Sequence, residues 1–373
     1  MTNDSYEFDQ GIDEEDTLSK DESIEQPYDP SRIKVDPRPM TVLQVMRKIN
    51  FEEINLQPGF QRNIVWDEIR QSRLIESILI RIPLPAFYLD ARDEDEWLVV
   101  DGLQRLTTLD RFINKKELRL NNLEFLGNQL DRKNFDELPR GFQRVIEEAY
   151  LHLYVIMPDT PPEVKFSIFY RINTGGMVLS AQEIRHCLFQ GEATRLLKEL
   201  AESEEFLEAT NRSINTKRMD DRECVLRYCA FHLVYEGLIE YQKPDLNQFL
   251  SDVMTKINEM DQSDISNLKS CFLESMRISK EVFGEYAFRK MFVRNARRSP
   301  PINKALFEVW SVSLEQFDKN ELSNNKEAII EGFISAMNHD GDYVASITQG
   351  TGAVKKVVKR FTTTMKIIEK ALS

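Results

Sequence analysis

The chain has 373 residues, 41% hydrophobic and 30% charged, which is long enough for two domains and typical of a soluble globular protein. No apolar run approaches the roughly 20 residues needed to span a bilayer, the acidic start lacks the apolar region of a secretory signal, and four cysteines (Cys187, Cys224, Cys229, Cys271) do not suggest a disulfide framework, so no membrane role and a cytoplasmic location are expected. Of the net charge of −13, residues 1–30 carry −10 on eleven acids and one lysine, and a remainder of −3 does not argue against nucleic-acid binding.

Residues 1–36 are polar, acidic and proline-punctuated, with too little apolar surface to offset their ordering entropy, and are expected to be a disordered tail. That tail reads either as a solubility device or as an arm that covers a basic groove. Order begins at Thr41, which with Gln44 forms a capping box before Val42, Val45, Met46 and Ile49. Ile54–Leu56 reads as a short strand. Asp67 caps a helix whose Ile69, Leu74, Ile75, Ile78 and Leu79 make an apolar stripe, stopped by Pro83 and Pro85. Phe87–Leu89 reads as a strand paired with Trp97–Val100 across a charged loop at 90–96.

Asp101-Gly102 then turns the chain into a helix marked by Leu103, Leu106 and Leu109, which sets Asp101, Gln104 and Arg105 at the mouth of a strand–turn–helix unit. Free N–H groups at the helix start, beside Gly102, favour an anion there. Further on, the pattern predicts a strand pair near Leu118–Leu126, a helix near Phe142–Ala149 and an alternating strand at Leu151–Ile156. Pro161-Pro162 opens a helix that delivers Arg171 and Asn173 to the Thr174-Gly175-Gly176 turn, and Ser180 with Glu183 forms a second capping box. Beyond about residue 190 strand signals vanish, and helical periods cover Val225–Ile239, Leu268–Phe283, Lys304–Phe317, Ala328–Met337 and Val354–Leu372. The domains expected are therefore 37–190 and 191–373, after the tail.

No phosphate loop, dinucleotide fingerprint or clustered His/Cys metal site is present, and His152, His186, His232 and His339 stand apart. What remains is a polar set from three separated segments: Gln61 and Arg62; Asp101, Gln104 and Arg105; and Arg171, Asn173, Glu183 and Arg185. Several arginines with a few carboxylates suit a nucleoside triphosphate, with Asp101 or Glu183 holding Mg²⁺ or orienting a water. The same set also suits a DNA backbone, a flipped base or an internal salt-bridge network. Two basic clusters lie in the helical half: Arg289, Lys290, Arg294, Arg297 and Arg298; and Lys355, Lys356, Lys359 and Arg360. Each reads as a solvated face or as a phosphate-backbone contact, DNA-binding through Arg294, Arg297, Arg298, Lys355, Lys356 and Lys359.

Three stretches in order carry a resemblance. They are Phe60-Gln61-Arg62-Asn63-Ile64-Val65-Trp66 with Ile82-Pro83-Leu84-Pro85; Asp101-Gly102-Leu103-Gln104-Arg105; and Phe169-Tyr170-Arg171-Ile172-Asn173-Thr174-Gly175-Gly176 with Glu183-Ile184-Arg185. Together they resemble the GmrSD restriction endonuclease N-terminal domain family, in which the second stretch is D-G-Q-Q-R; Leu103 stands where that family has its first glutamine. The resemblance implies an α+β chain: a ParB/sulfiredoxin-like domain followed by an all-α domain. It also implies a nucleotide-dependent, DNA-sensing subunit of a prokaryotic anti-phage, modification-dependent (type IV-like) restriction system. Nucleoside triphosphate and Mg²⁺ would be its cofactors. DNA, including modified phage DNA, and a second subunit carrying an HNH-type nuclease would be its partners. On this reading Asp101, Gln104 and Arg105 are catalytic, with Asp101 also on the metal. Gln61, Arg62, Gly102, Arg171, Asn173, Glu183 and Arg185 bind the nucleotide. The alternatives are a non-catalytic DNA- or partner-binding protein that keeps the fold, and a self-sufficient nuclease using the Asp101 region.

Overall fold

A computed structural model of the chain describes residues 7–8, 11–13, 32–56, 66–92, 95–172, 179–242, 245–294 and 298–373, with the backbone alone at 7–8, 217 and 298–299. The architecture is α+β: a five-stranded mixed sheet in the first half, then a helical region. Contacts divide the chain into two compact units, Gln26–Val178, and Leu179–Ser373 together with Met1–Glu25. Each unit has its own apolar core.

One strand, β1 (Glu7–Phe8), belongs to the helical unit. The α/β unit then runs β2 (Val35–Thr41), α1 (Val42–Asn50), β3 (Ile54–Asn55), α2 (Glu68–Leu79), β4 (Phe87–Ala91), β5 (Trp97–Asp101) and α3 (Leu103–Ile113). It continues with the one-turn α4 (Gly127–Leu130), α5 (Arg140–Glu148), β6 (Tyr150–Ile156) and α6 (Pro162–Ile172). Its sheet has the order β2-β6-β4-β5-β3, with β6–β4 and β5–β3 parallel and the other neighbours antiparallel. The alternation in β6 does what it predicts: Leu151, Leu153 and Val155 are buried in the core while Tyr150 and His152 are exposed. On the edge strand β2, pairing with β6 is unbroken through Pro37 and Pro39, which lack an N–H and so blunt the free edge.

The caps are where the residues require them. Thr41 and Gln44 close a capping box on α1, and the Asp67 carboxylate accepts from the Arg70 N–H at 2.7 Å at the start of α2. Ser180 and Glu183 close another on α7 (Ala181–Leu188). The helical unit continues with α8 (Glu192–Ala201), α9 (Glu204–Ala209), α10 (Asp220–Tyr235), α11 (Leu246–Asn258) and α12 (Gln262–Phe283). After β7 (Arg298–Ser299) come α13 (Lys304–Leu314), α14 (Lys319–Asn324), α15 (Lys326–His339), α16 (Gly341–Ser346) and α17 (Val354–Leu372). Trp310, Phe283 and Phe333 form edge-to-face pairs in its core. Among the described residues no helix is long and apolar enough to cross a membrane.

Three expectations change. The strand pair near Leu118–Leu126 is absent, and the segment is an irregular loop. Its Leu118, Leu120 and Leu123 are buried; Leu120 bonds to the backbone of Arg132 and Lys133, but from Asn121 onward the N–H groups go largely to side chains. The Glu76 carboxylate accepts from the N–H groups of Glu124, Phe125 and Leu126 at 2.7–2.9 Å, and Ser72 Oγ from that of Asn121 at 2.9 Å. The all-α half carries one short parallel strand pair, β1 with β7. Within the 1–36 tail, Glu7–Phe8 form β1, Gly11–Asp13 bond to the helical unit and Val35–Asp36 open β2; residues 1–6, 9–10 and 14–31 lie outside the described residues.

Candidate functional site

The Asp101 turn is built from three local devices. Tyr88 pairs with Asp101 and Leu89 with Val99, so Val100 has no residue opposite it and forms a bulge immediately before Asp101. Gly102 has φ 100°, in the left-handed region, and a Cβ there would run into the Phe87 ring. The sharp turn starts α3 at Leu103, so Arg105 lies one turn along the helix from Asp101, close enough for an i,i+4 pair.

Arg105 is almost wholly enclosed, its side chain 10% exposed against 39% for Asp101. Its Nη2 donates to Asp101 Oδ2 at 2.9 Å and to the Ala86 carbonyl at 3.1 Å, its Nη1 donates to the Pro85 carbonyl, and its guanidinium lies 4.3 Å from the Phe87 ring centroid. Burial draws the guanidinium below its ordinary value and the Asp101 carboxylate opposes that. Arg105 therefore acts as a clamp. It ties the strand–helix turn to the chain leaving Pro83 and Pro85, and it fixes one oxygen of a carboxylate that still reaches solvent.

Gln104 is half-buried, and its Oε1 lies 3.4 Å from the backbone N of Trp66. The Trp66 carbonyl accepts from Gln71 Nε2 at 2.7 Å, and Gln71 Oε1 accepts from Arg111 Nη1 at 2.8 Å. Trp66 ends the first of the three motif stretches, so the fold brings the first and second together at the start of α3. Gln61 and Arg62 of that stretch lie outside the described residues. Leu103 is half-buried and packs against the α/β core.

The third motif divides. Arg171 is exposed in the last turn of α6, a helix anchored to the sheet by the buried pair Lys165–Asp90 at 2.5 Å. Asn173 lies outside the described residues. Glu183 and Arg185 belong to the helical unit. The Glu183 carboxylate accepts from the Ser180 N–H at 2.6 Å and caps α7. Arg185 is fully buried, donating to Gln182 Oε1 at 2.8 Å and to Asn247 Oδ1 at 3.0 Å, with Glu223 3.6 Å away. Burial brings its guanidinium down to about 10, against the pull of Glu223. The neighbouring His186 is pushed down to about 4 by burial and Arg222, so it is neutral near pH 7.

The second basic cluster is engaged within its own unit. Lys356 donates to the carbonyls of Ala345 and Gln349, Lys359 pairs with Asp340 at 2.7 Å, and Arg360 is buried on Glu308; Lys355 is exposed. In the first cluster Arg289 is buried, Lys290 pairs with Asp13, Arg294 pairs with Glu327 and Arg298 lies in β7, while Arg297 lies outside the described residues. Among the described residues no group of three His, Cys, Asp or Glu side chains is placed to hold a metal. Buried Cys224 and Cys229 have thiols pushed up by burial, which makes them poor nucleophiles.

Pattern reading missed the clamp and the Glu76 loop anchor. Pro85 and Ala86 contribute carbonyls, which leave no signature in a side-chain pattern. Glu76 did leave one: a carboxylate within the apolar stripe Leu74, Ile75, Ile78 and Leu79.

Residues 43–190 match the family model for the GmrSD restriction endonuclease, N-terminal domain. Comparison with curated proteins gives no match, and comparison with solved structures gives none either.

Proposed function

We infer, from the match of residues 43–190 to the GmrSD restriction endonuclease N-terminal domain family, that the chain is a restriction-system component, and within that a nucleotide-dependent, DNA-sensing subunit. It hydrolyses a nucleoside triphosphate and works with an HNH-type nuclease on another chain, as part of a modification-dependent, type IV-like defence against phage DNA. The observation that carries this reading is Asp101: a carboxylate 39% exposed, set by the bulge and the Gly102 turn and held on one oxygen by the Arg105 clamp. A fixed carboxylate with solvent access suits a Mg²⁺ that keeps several waters and takes its other ligands from phosphate oxygens. Bound there, Mg²⁺ would neutralise phosphate charge. The chain's own part is narrower: Asp101 would hold the ion or orient a water, and Arg105 would keep Asp101 in place.

The roles within the set divide accordingly. Gln104 and Arg171, with Gln61, Arg62 and Asn173, are the candidates for contact with nucleotide. Arg105 is a positioning residue, because its N–H groups serve Asp101, Pro85 and Ala86. The test is hydrolysis of each common nucleoside triphosphate with Mg²⁺, with and without DNA. Slow hydrolysis by the wild-type chain, abolished by Asp101→Asn with the fold unchanged by circular dichroism, supports the reading. Hydrolysis that survives Asp101→Asn, or no triphosphate binding in calorimetry, overturns it in favour of a non-catalytic DNA- or partner-binding protein.

A further inference from the structure

Asp101 of β5, Tyr88 of β4 and Tyr154 of β6 lie on one rung of the sheet. Asp101 is opposite Tyr88, Tyr88 is opposite Tyr154, and Pro37 of β2 is opposite Tyr154 on its other side. Residues directly opposite one another share a face of the sheet. Here it is the face away from the apolar core, because Phe87, Leu89, Leu153 and Val155, which alternate with the two tyrosines, are all core residues.

This face is covered at one end and open at the other. One rung along, Asp90 and Ile156 are opposite each other and buried, and Asp90 is paired with Lys165 of α6. In the other direction along β6, His152 is exposed and Tyr150 is 68% exposed. Tyr88 and Tyr154 are half-buried, at the border between the two ends. Their rings stack across the strand gap, with centroids 5.2 Å apart and planes 18° from parallel. That separation is close to the strand spacing of about 4.8 Å, so the rings face along the line of the rung. The stack has two outer faces. Toward β5 stand the buried Val100 and then Asp101, whereas toward β2 stands Pro37, which is short and exposed. The open face is that of Tyr154.

We propose that the open face of Tyr154, backed by Tyr88 and floored by Pro37, is the stacking site for the base of a nucleoside triphosphate whose phosphates lie at Asp101. Aromatic rings standing on a sheet face are the groups on which bases stack, because every base offers a π-face. Asp101 and Tyr154 are two strand gaps apart, about 10 Å. Ribose and phosphates bridge that span, passing over the edge of Tyr88. Tyr154 is then the residue that touches the base, and Tyr88 is a positioning residue that keeps its ring upright. The proposal rests on the triphosphate reading of Asp101, and it adds the subsite that tells a nucleotide from a bare polyphosphate.

Calorimetry on the full chain with Mg²⁺ tests this, comparing each common ribonucleoside triphosphate with inorganic tripolyphosphate, which has the phosphates and no base. The wild-type chain should bind at least one nucleotide about tenfold or more tighter than tripolyphosphate. Tyr154→Ala should remove that advantage and leave the affinity for tripolyphosphate unchanged, while Tyr154→Phe should keep it. Tyr154→Leu retains apolar bulk on the strand without a π-face and should behave like Tyr154→Ala, so a loss of fold in the alanine variant leaves the comparison intact. Tripolyphosphate bound as tightly as every nucleotide, nucleotide affinity unchanged in Tyr154→Leu, or an equal loss for both kinds of ligand overturns the base site and leaves the Asp101 reading standing. Binding of neither kind of ligand by the wild-type chain overturns both.

Discussion

Gly102 carries two requirements at once, a φ of 100° and the absence of a Cβ against the Phe87 ring. Holding alanine at that φ costs about 1–2 kcal/mol, and displacing a packed ring typically costs a further 1–3 kcal/mol. Gly102→Ala should therefore lower the urea midpoint of the α/β unit, with an unchanged m-value. A shift worth less than about 0.5 kcal/mol would show that the turn relaxes without strain. Arg105 is the complementary case. It was expected among the catalytic groups, and its bonds to Pro85, Ala86 and Asp101 make it the part that keeps the turn in shape.

Among the elements, the loop at 121–126 shows how a segment with strand-like composition takes another form. Three consecutive N–H groups converge on one buried carboxylate, Glu76, which satisfies them without a partner strand. Burial alone would raise the Glu76 carboxyl, but the three N–H donors and Arg73 more than offset it and hold it below the ordinary value of 4.5. A carboxyl depressed in the folded state adds stability that is present above its unfolded value and lost as pH falls through the folded one. The contribution should thus be complete above about pH 5 and disappear in the acid range below 4.5. Glu76→Gln should cost roughly 1–3 kcal/mol at pH 7, and the difference from wild type should shrink on acidification. Faster amide exchange at Glu124, Phe125 and Leu126 in the variant is the local readout. A difference that does not change with pH would place the stabilisation elsewhere.

At the scale of the whole molecule, both units have apolar cores, and the helical one also buries an ionic network. The α/β core is apolar around β4, β5 and β6. The helical core is apolar as well, and it additionally encloses a line of alternating charge in which Glu223 meets Arg185, Arg227 and Lys304, and Glu308 meets Arg227 and Arg360. Glu308 and Arg360 have no exposure at all, so removing one partner strands the other in the interior. Glu308→Ala should cost about 3–5 kcal/mol. Because each unit has its own core, calorimetry should resolve two transitions. Glu308→Ala should lower only one of them and Gly102→Ala only the other. A single transition that both variants shift equally would mean the units unfold together.

What the sequence determined by itself was local. The capping boxes at Thr41 and Ser180, the Asp67 cap, the hairpin of Phe87 and Trp97, and the alternating strand at 151–156 depend on neighbours within a few residues, and all are present. The motif order also pointed to the family whose model residues 43–190 match. Tertiary structure decided which polar groups are used up in holding the fold. Arg105 spends its guanidinium on carbonyls 19 and 20 residues away, Arg185 on residues of α10 and α11, and Arg360 on Glu308, 52 residues back. Glu76 closes a loop about 50 residues downstream, and an acidic arm finds its strand partner near residue 298. Composition and spacing show that an arginine is present; whether it faces solvent or a buried carbonyl depends on chain contacts that close only when the core packs, and desolvation then fixes its partner.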